Sequence, residues 1–172
     1  MIDLLEVEKS LVTPHIVSGG TAVDFTMGNG HDTLWLSKAV GEDGTVFAFD
    51  IQQQALDSTE KLLCGNNISN VKLILDSHAN VKNYVSEPIC VGMFNLGYLP
   101  GGDKSITTKH ESSIAAIIAG TELLAPNGAL LIAVYPGHAE GTIEGNAVRE
   151  LLSSYDRKKL CCSEFHIVTS PS

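Results

Sequence analysis

Positive charge is scarce in this chain. Eleven Lys and Arg residues stand against twenty Asp and Glu, leaving a net charge of −9. A protein that clasps duplex nucleic acid needs a broad basic face to displace counterions from phosphates, and this composition excludes one. A small, local RNA contact is not excluded. The four cysteines, at positions 64, 90, 161 and 162, form no C-x-x-C pair and have no His pair nearby. Reduced, partly buried thiols in a cytosolic protein are the simple reading. The histidines show no H-x-x-x-H spacing, and no metal is expected. No apolar run approaches the ~20 residues of a membrane span. Met1–Lys9 carries acids where a signal peptide needs positive charge. A cytoplasmic location without membrane contact follows.

What is present is a globular composition of one domain, 1–172, with 44% apolar and 18% charged residues. No repeat, low-complexity tract or linker interrupts it. The densest information lies in Thr21–Asp50. A β-prone run, Thr21–Phe25, opens into Thr26-Met27-Gly28-Asn29-Gly30-His31-Asp32; a helix is expected over Thr33–Val40, then a turn, and a second apolar run ends on Asp50. Gly28 and Gly30 let backbone approach a ligand where a Cβ would clash. The helix start behind them offers unpaired N–H groups. Asp50, about 20 residues on, stands where a carboxylate meets ribose hydroxyls.

The cofactor can be narrowed. In the dinucleotide register G-x-G-x-x-G the three glycine positions hold Thr26, Gly28 and His31, so a pyrophosphate is poorly served. Class I S-adenosylmethionine methyltransferases instead begin with an acidic residue followed by G-x-G. Asp24 with Gly28-Asn29-Gly30 resembles that motif, Thr26 standing where many members have another Gly. S-adenosylmethionine is the expected cofactor.

Further along, a short amphipathic helix is expected from Leu4, Leu5, Leu11 and Val12, and a second over Gln52–Cys64 with Gly65-Asn66-Asn67 as its C-cap. Val71–Leu75 and Cys90–Phe94 read as strands ending at Asp76-Ser77-His78 and Asn95. Thr108–Glu111 has the pattern of a capping box ahead of a long helix. Pro126-Asn127-Gly128 turns into Ala129–Val134, a strand expected to be buried on both faces. A weaker helix over Gly145–Ser154 and a final strand over Phe165–Thr169 complete the pattern. Alternating helices and apolar strands mean an α/β, Rossmann-like, mainly parallel sheet with helices on both faces. Ligands of such sheets sit at the carboxyl ends of the strands. The polar, Gly-rich and His residues gather there.

With these residues assembled, the sequence resembles a small bacterial family of class I methyltransferases labelled rRNA methylases. One branch of that family methylates the 5-aminomethyl group of the wobble uridine in tRNA. The matching segments are Asp24–Thr33, Asp50-Ile51-Gln52, Asp76-Ser77-His78, Phe94–Thr107 and Tyr135–Gly141, which span most of the chain. The resemblance implies S-adenosylmethionine-dependent N-methylation of tRNA, with the anticodon loop as partner. The family sheet usually closes with an antiparallel pair, and its last strand is expected to be missing here. A homodimer built on the sheet edge stays open.

Candidate cofactor-binding residues are Asp24, Thr26, Gly28, Asn29, Gly30, Asp50, Gln52, Ser77 and His78. Asp50 could also cap the following helix, and Asp24 could merely satisfy loop amides. Asp32 is expected to be structural, and His31 stays undecided. Asn95 and Tyr98 are the candidate catalytic residues, with His138 as a stacking or proton-accepting group. An amine must be neutral, desolvated and aimed for methyl transfer, which is positioning work suited to a side-chain amide. Asp103, Lys104 and Tyr135 are candidate substrate contacts, and Lys104, Lys109 and Lys82 candidate RNA contacts. Two rivals remain: a methyltransferase for a small amine metabolite, and a non-catalytic adenosine-ligand-binding domain.

Overall fold

The apolar runs become a five-stranded sheet in the computed structural model, which describes residues 4–103, 105–135 and 139–166. The strands are β1 Thr21–Asp24, β2 Thr45–Asp50, β3 Val71–Leu75, β4 Ile89–Leu96 and β5 Leu124–Val134. Their order across the sheet is β3-β2-β1-β4-β5, every pairing parallel. The chain therefore winds outward twice from β1, and the point between β1 and β4, where the winding changes direction, is where a ligand crevice opens.

Alternation along the strands divides the core. Phe47 and Phe49 of β2, with Phe94 and Leu96 of β4, pack on α4 (His110–Leu123) and on α5 (Ala139–Ser154). Val46 of β2 and Val91 and Met93 of β4 meet α1 (Leu4–Val12) and α2 (His31–Val40) on the other face. Ala48 and Ala55 join Met27 and Leu99 under α3 (Gln53–Gly65). Phe25 and Phe94 stack with centroids 4.0 Å apart and planes 8° from parallel, at the carboxyl ends of β1 and β4.

Several expectations are corrected. α1 forms as expected, but Leu5 and Leu11 are 40% and 38% exposed, while Glu8 and Val12, four apart, are buried. α2 begins at His31, two residues early, because Gly30 already turns the chain. α3 runs one residue later than expected, through Gly65, and within the expected Gly65-Asn66-Asn67 cap the left-handed residue is Asn67 (φ +57°). α4 lacks the expected capping box: Thr108 donates to Glu144, and Glu140 of α5 accepts the His110 N–H at 3.2 Å instead. β5 starts at Leu124 with a register shift and is only half-buried, since it lies at the sheet edge among the described residues. α5 starts at Ala139, well before the expected Gly145. Of the expected last strand, Phe165 and His166 have no strand structure, and 167–169 lie outside the described residues. No described helix is long and apolar enough to cross a membrane.

Candidate active site

The loop after β1 is laid across the ends of both neighbouring strands. Phe25 N–H donates to the Met93 carbonyl on β4 and Met27 N–H to the Phe49 carbonyl on β2, both at 2.9 Å. The chain then turns through Gly28 (φ +51°) and Gly30 (φ +82°), a region in which L side chains are strained. At Gly30 a second constraint acts: a Cβ would lie 2.7 Å from Thr59 Oγ1 and 3.0 Å from Thr59 Cα. Buried Thr59 in turn donates its hydroxyl to the Gly28 carbonyl at 3.1 Å. At Gly28 a Cβ would make only ordinary contact, with Leu99 at 3.5 Å, so positive φ rather than crowding is the constraint there. Gly30 begins α2 without a side-chain cap, leaving first-turn N–H groups for other acceptors.

Asp24 is fully buried. Its Oδ1 accepts the Thr26 N–H at 3.1 Å and its Oδ2 the Thr33 hydroxyl at 2.6 Å. Burial raises the carboxyl to about 7 against those two bonds. Of the two roles open to Asp24, ordering the loop is the one the geometry gives. A direct cofactor contact from it is corrected, since both oxygens are committed and neither is exposed.

Asp50 is half-buried at the end of β2. Its Oδ2 accepts the Gly28 N–H (3.1 Å) and its Oδ1 the Gln52 N–H (3.0 Å). Burial raises its pKa, and those N–H bonds pull the other way. Each oxygen keeps a lone pair for a hydroxyl donor. Gln52 precedes α3 with no side-chain cap bond, and its backbone N–H is held by Asp50. Ser77 accepts the Ala79 N–H at 3.3 Å and starts a 3-10 turn, His78–Asn83. His78, expected at adenine, is buried beneath the loop. Its Nδ1 lies 3.0 Å from the Phe25 carbonyl, which can only accept, so Nδ1 carries the hydrogen. Burial holds the imidazole below its ordinary pKa, and Nε2 is thereby left an acceptor.

The acceptor side is centred on Asn95, near the end of β4. Its N–H donates to Thr26 Oγ1 at 2.7 Å, and its Nδ2 donates to Asp32 Oδ2 at 2.9 Å. The Tyr135 hydroxyl lies 3.4 Å from Asn95 Oδ1, a long contact. Partial burial, then the negative charges of Glu8 and Asp32, hold the Tyr135 phenol above its ordinary pKa. Lys9 reaches to 4.0 Å from Asp32 Oδ1. Asn29 donates to the Pro100 carbonyl at 3.3 Å, tying the glycine loop to the segment after β4. That segment is pinned by a bridge between Tyr98 and Thr107, and Tyr98 itself is 41% exposed. Asp103 is exposed and accepts the Ser105 N–H at 2.9 Å, which with the Ser105 side chain lowers its pKa.

Sequence reasoning placed Asn95, Tyr98 and Tyr135 correctly on one edge. Lys104 and His138 lie outside the described residues. His31 is exposed at the first turn of α2, and Lys109 is exposed at the start of α4. Lys82 pairs with Glu122 in the last turn of α4, at the opposite end from the catalytic edge, and is corrected as an RNA contact. Glu8 and Glu144 were missed. Glu8 carried a signal: an acid four residues before Val12 on one helix face. Glu144 is fully buried and accepts the Ser113 hydroxyl at 2.5 Å and the Thr108 hydroxyl at 2.8 Å, anchoring the acceptor segment to α5. Among the described residues His110, Glu111 and Glu140 bring ligand-type atoms within 4.8 Å of one another. His110 Nδ1 is 3.0 Å from Glu140, and that bond raises the imidazole pKa while lowering the carboxyl's.

The profile of the family described as "Putative rRNA methylase" matches residues 46–172. An Arabidopsis thaliana protein named tRNA (mnm(5)s(2)U34)-methyltransferase, chloroplastic, is 38% identical over 181 residues, covering 95% of this chain and 66% of that protein. The chain thus spans slightly under two thirds of that relative's length. A Clostridium thermocellum structure described as "putative rRNA-methylase" is 38% identical, with a TM-score of 0.96 over 100% of this chain and 93% of its own. A Streptococcus mutans protein solved in complex with SAH is 37% identical, with a TM-score of 0.83 over 92% of this chain and 85% of its own. The chain belongs to the rRNA methylase family of S-adenosylmethionine-dependent methyltransferases, and its sheet is the Rossmann-like class I sheet.

Proposed function

We propose that this member of the rRNA methylase family methylates the 5-aminomethyl group of a tRNA wobble uridine, with S-adenosylmethionine as donor. The observation that carries the reading is the Asn95 amide, held at the mouth of the sheet between Asp32 and Tyr135. The name of the Arabidopsis relative supports the substrate, and the SAH complex of the Streptococcus mutans relative supports the cofactor.

The residues fit that cofactor. Gly28 and Gly30 give a positive-φ turn without side chains for close approach, and Asp50 retains acceptor capacity for ribose hydroxyls. When bound, S-adenosylmethionine supplies a methyl on a sulfonium, which leaves as a thioether as the methyl passes to the amine nitrogen. The chain's own work is positional. Asn95 Oδ1 accepts an N–H of the neutral amine and turns its lone pair inward. Tyr98 and Tyr135, both exposed, stack on or hydrogen-bond the extruded base. The nitrogen gives up one proton on methylation, and His138 is the sequence's candidate to take it. The partner is a tRNA anticodon loop, met by a local surface in a protein that otherwise repels phosphate.

A small-amine substrate is the second reading, favoured by the net charge of −9. Tritiated methyl transfer separates the two. Label is expected in tRNA bearing the aminomethyl group, and on digestion in a methylated uridine. Label in a metabolite extract but not in tRNA would move the substrate to a small amine. Label in neither would leave a binding domain.

A further inference from the structure

Asp32 carries no role beyond the helix dipole in the chemistry above, yet it makes the shorter of the two described bonds to the side chain on which that chemistry turns. It sits in the first turn of α2, with its side chain 14% exposed, and its Oδ2 lies 2.9 Å from Asn95 Nδ2. An ionised carboxylate only accepts hydrogen bonds, so the NH2 of Asn95 must face it, and the carbonyl oxygen must face away. Thr26 fixes the Asn95 backbone from the loop side at 2.7 Å. What remains of Asn95 toward the open edge is Oδ1, whose contact there is the 3.4 Å approach of the Tyr135 hydroxyl. An incoming donor can displace so long a contact at small cost.

We infer that Asp32 is the positioning residue of the acceptor site: it locks the Asn95 amide so that a carbonyl oxygen, not an NH2, meets the nucleophile. This rests on the reading of Asn95 as the acceptor-orienting group, and it deepens that reading by stating a substrate class. A carbonyl oxygen selects a nucleophile that still carries a hydrogen to donate, as an amine does, and disfavours a pyridine-type ring nitrogen or a carbonyl oxygen. The negative charges of Asp32 and buried Glu8 both bear on Tyr135 at this edge, with Lys9 at 4.0 Å offsetting part of the charge of Asp32. Without the lock the amide presents either end. A donor NH2 turned toward the amine would compete for the lone pair that must attack.

The test uses Asp32→Asn, Asn95→Ala and the double variant of the full chain. Turnover is measured on tRNA carrying 5-aminomethyluridine, binding by calorimetry with SAH, and the side-chain amide by 15N NMR. Asp32→Asn keeps the shape but can both donate and accept, so the Asn95 amide is no longer locked. Its kcat should fall about 10- to 100-fold while SAH affinity and Tm stay near wild type, because only an aligned group is lost. The Asn95 side-chain NH2 signal, identified by its loss in Asn95→Ala, should move upfield and broaden. In the Asn95→Ala background, already down ~100-fold, Asp32→Asn should add less than about twofold, since the two act as one unit. Wild-type turnover in Asp32→Asn, or a full additive loss in the double variant, would overturn the positioning role and leave the Asn95 reading standing. Wild-type turnover in Asn95→Ala would overturn both.

Discussion

On the β1–β2 side of the edge, the carboxylates and hydroxyls that shape the glycine loop are bonded inside the protein. Asp24 has both oxygens on the loop, Asp50 holds the Gly28 and Gln52 N–H groups, and Thr59 holds the Gly28 carbonyl. On the β4–β5 side, Tyr98 and Tyr135 stand 41% and 42% exposed, Asp103 is exposed, and the contact to Asn95 Oδ1 is 3.4 Å long. The first half is preorganised for one small ligand of fixed shape. The second is anchored from below, through Glu144 and Glu140 of α5, and left open above. A large partner that brings its own base into the pocket requires that openness, because a closed acceptor site would exclude it.

If the cofactor side is rigid because α3 presses on the glycine loop, breaking that contact should give the largest effect. In Gly30→Ala the new Cβ would fall 3.0 Å from Thr59 Cα, a backbone atom, at a φ of +82°. Strain and overpacking together should cost about 2–4 kcal/mol of stability. Urea unfolding measures it, and a loss under about 1 kcal/mol would mean that the loop shifts freely and the supposed rigidity is absent.

The sequence told most about the half that is rigid. The positive-φ turns at Gly28 and Gly30 and the strand-end place of Asp50 are set by local backbone geometry, so spacing along the chain was enough to locate that turn and that carboxylate. Residues whose role depends on a distant partner were misread. Asp32 suits a helix N-terminus so well that nothing local hinted at Asn95, 63 positions away. Asp24 was drawn toward the ligand by its strand-end position, whereas burial commits it to the loop, and His78 is held there through Nδ1. The capping box at Thr108 failed for the same reason: Glu140 and Glu144 of a later helix took over its bonds.

A smaller effect tests the cofactor side by ligand rather than by stability. Asp50→Ala removes an acceptor for ribose hydroxyls and releases the Gly28 N–H, so SAH affinity should drop by roughly 1–3 kcal/mol. Calorimetry would read this directly. Unchanged affinity would mean that the ribose lies elsewhere.

The buried Asp24 gives the same half a pH signature. Its folded pKa of about 7 lies above the ordinary 3.8. Below about pH 4 the group is neutral folded or unfolded, and between about 4 and 7 the folded chain alone keeps the proton. The stability this group contributes is therefore full in acid and is lost as pH rises toward 7, at a slope of at most about 1.4 kcal/mol per unit. Asn at this position can accept from the Thr26 N–H and donate to the Thr33 hydroxyl. Asp24→Asn should flatten that slope in urea titrations at pH 5, 6 and 7. Parallel slopes in both proteins would place the charge in water rather than in the core.

The smallest expected effect belongs to the open half. With Lys82 paired to Glu122 at the far end of α4, Lys109 is the described lysine from the sequence candidates that remains exposed on the catalytic edge. Few phosphates can then be neutralised, so the slope of log affinity against log salt for an anticodon stem-loop should be shallow, on the order of −1 to −3. Removing one phosphate contact changes such a slope by about 0.7–0.9. Lys109→Ala should therefore weaken binding only several-fold, shift the slope by about one unit, and leave SAH affinity untouched. The same titration on a plain hairpin stem should show weaker binding, because an unstacked base is what the exposed tyrosines can hold. A steep slope, or equal binding of stem and loop, would require a broad basic surface and would end the contrast between a closed cofactor side and an open, sparsely charged acceptor side. An unchanged slope in Lys109→Ala would move the phosphate contact off the start of α4 while keeping that contrast.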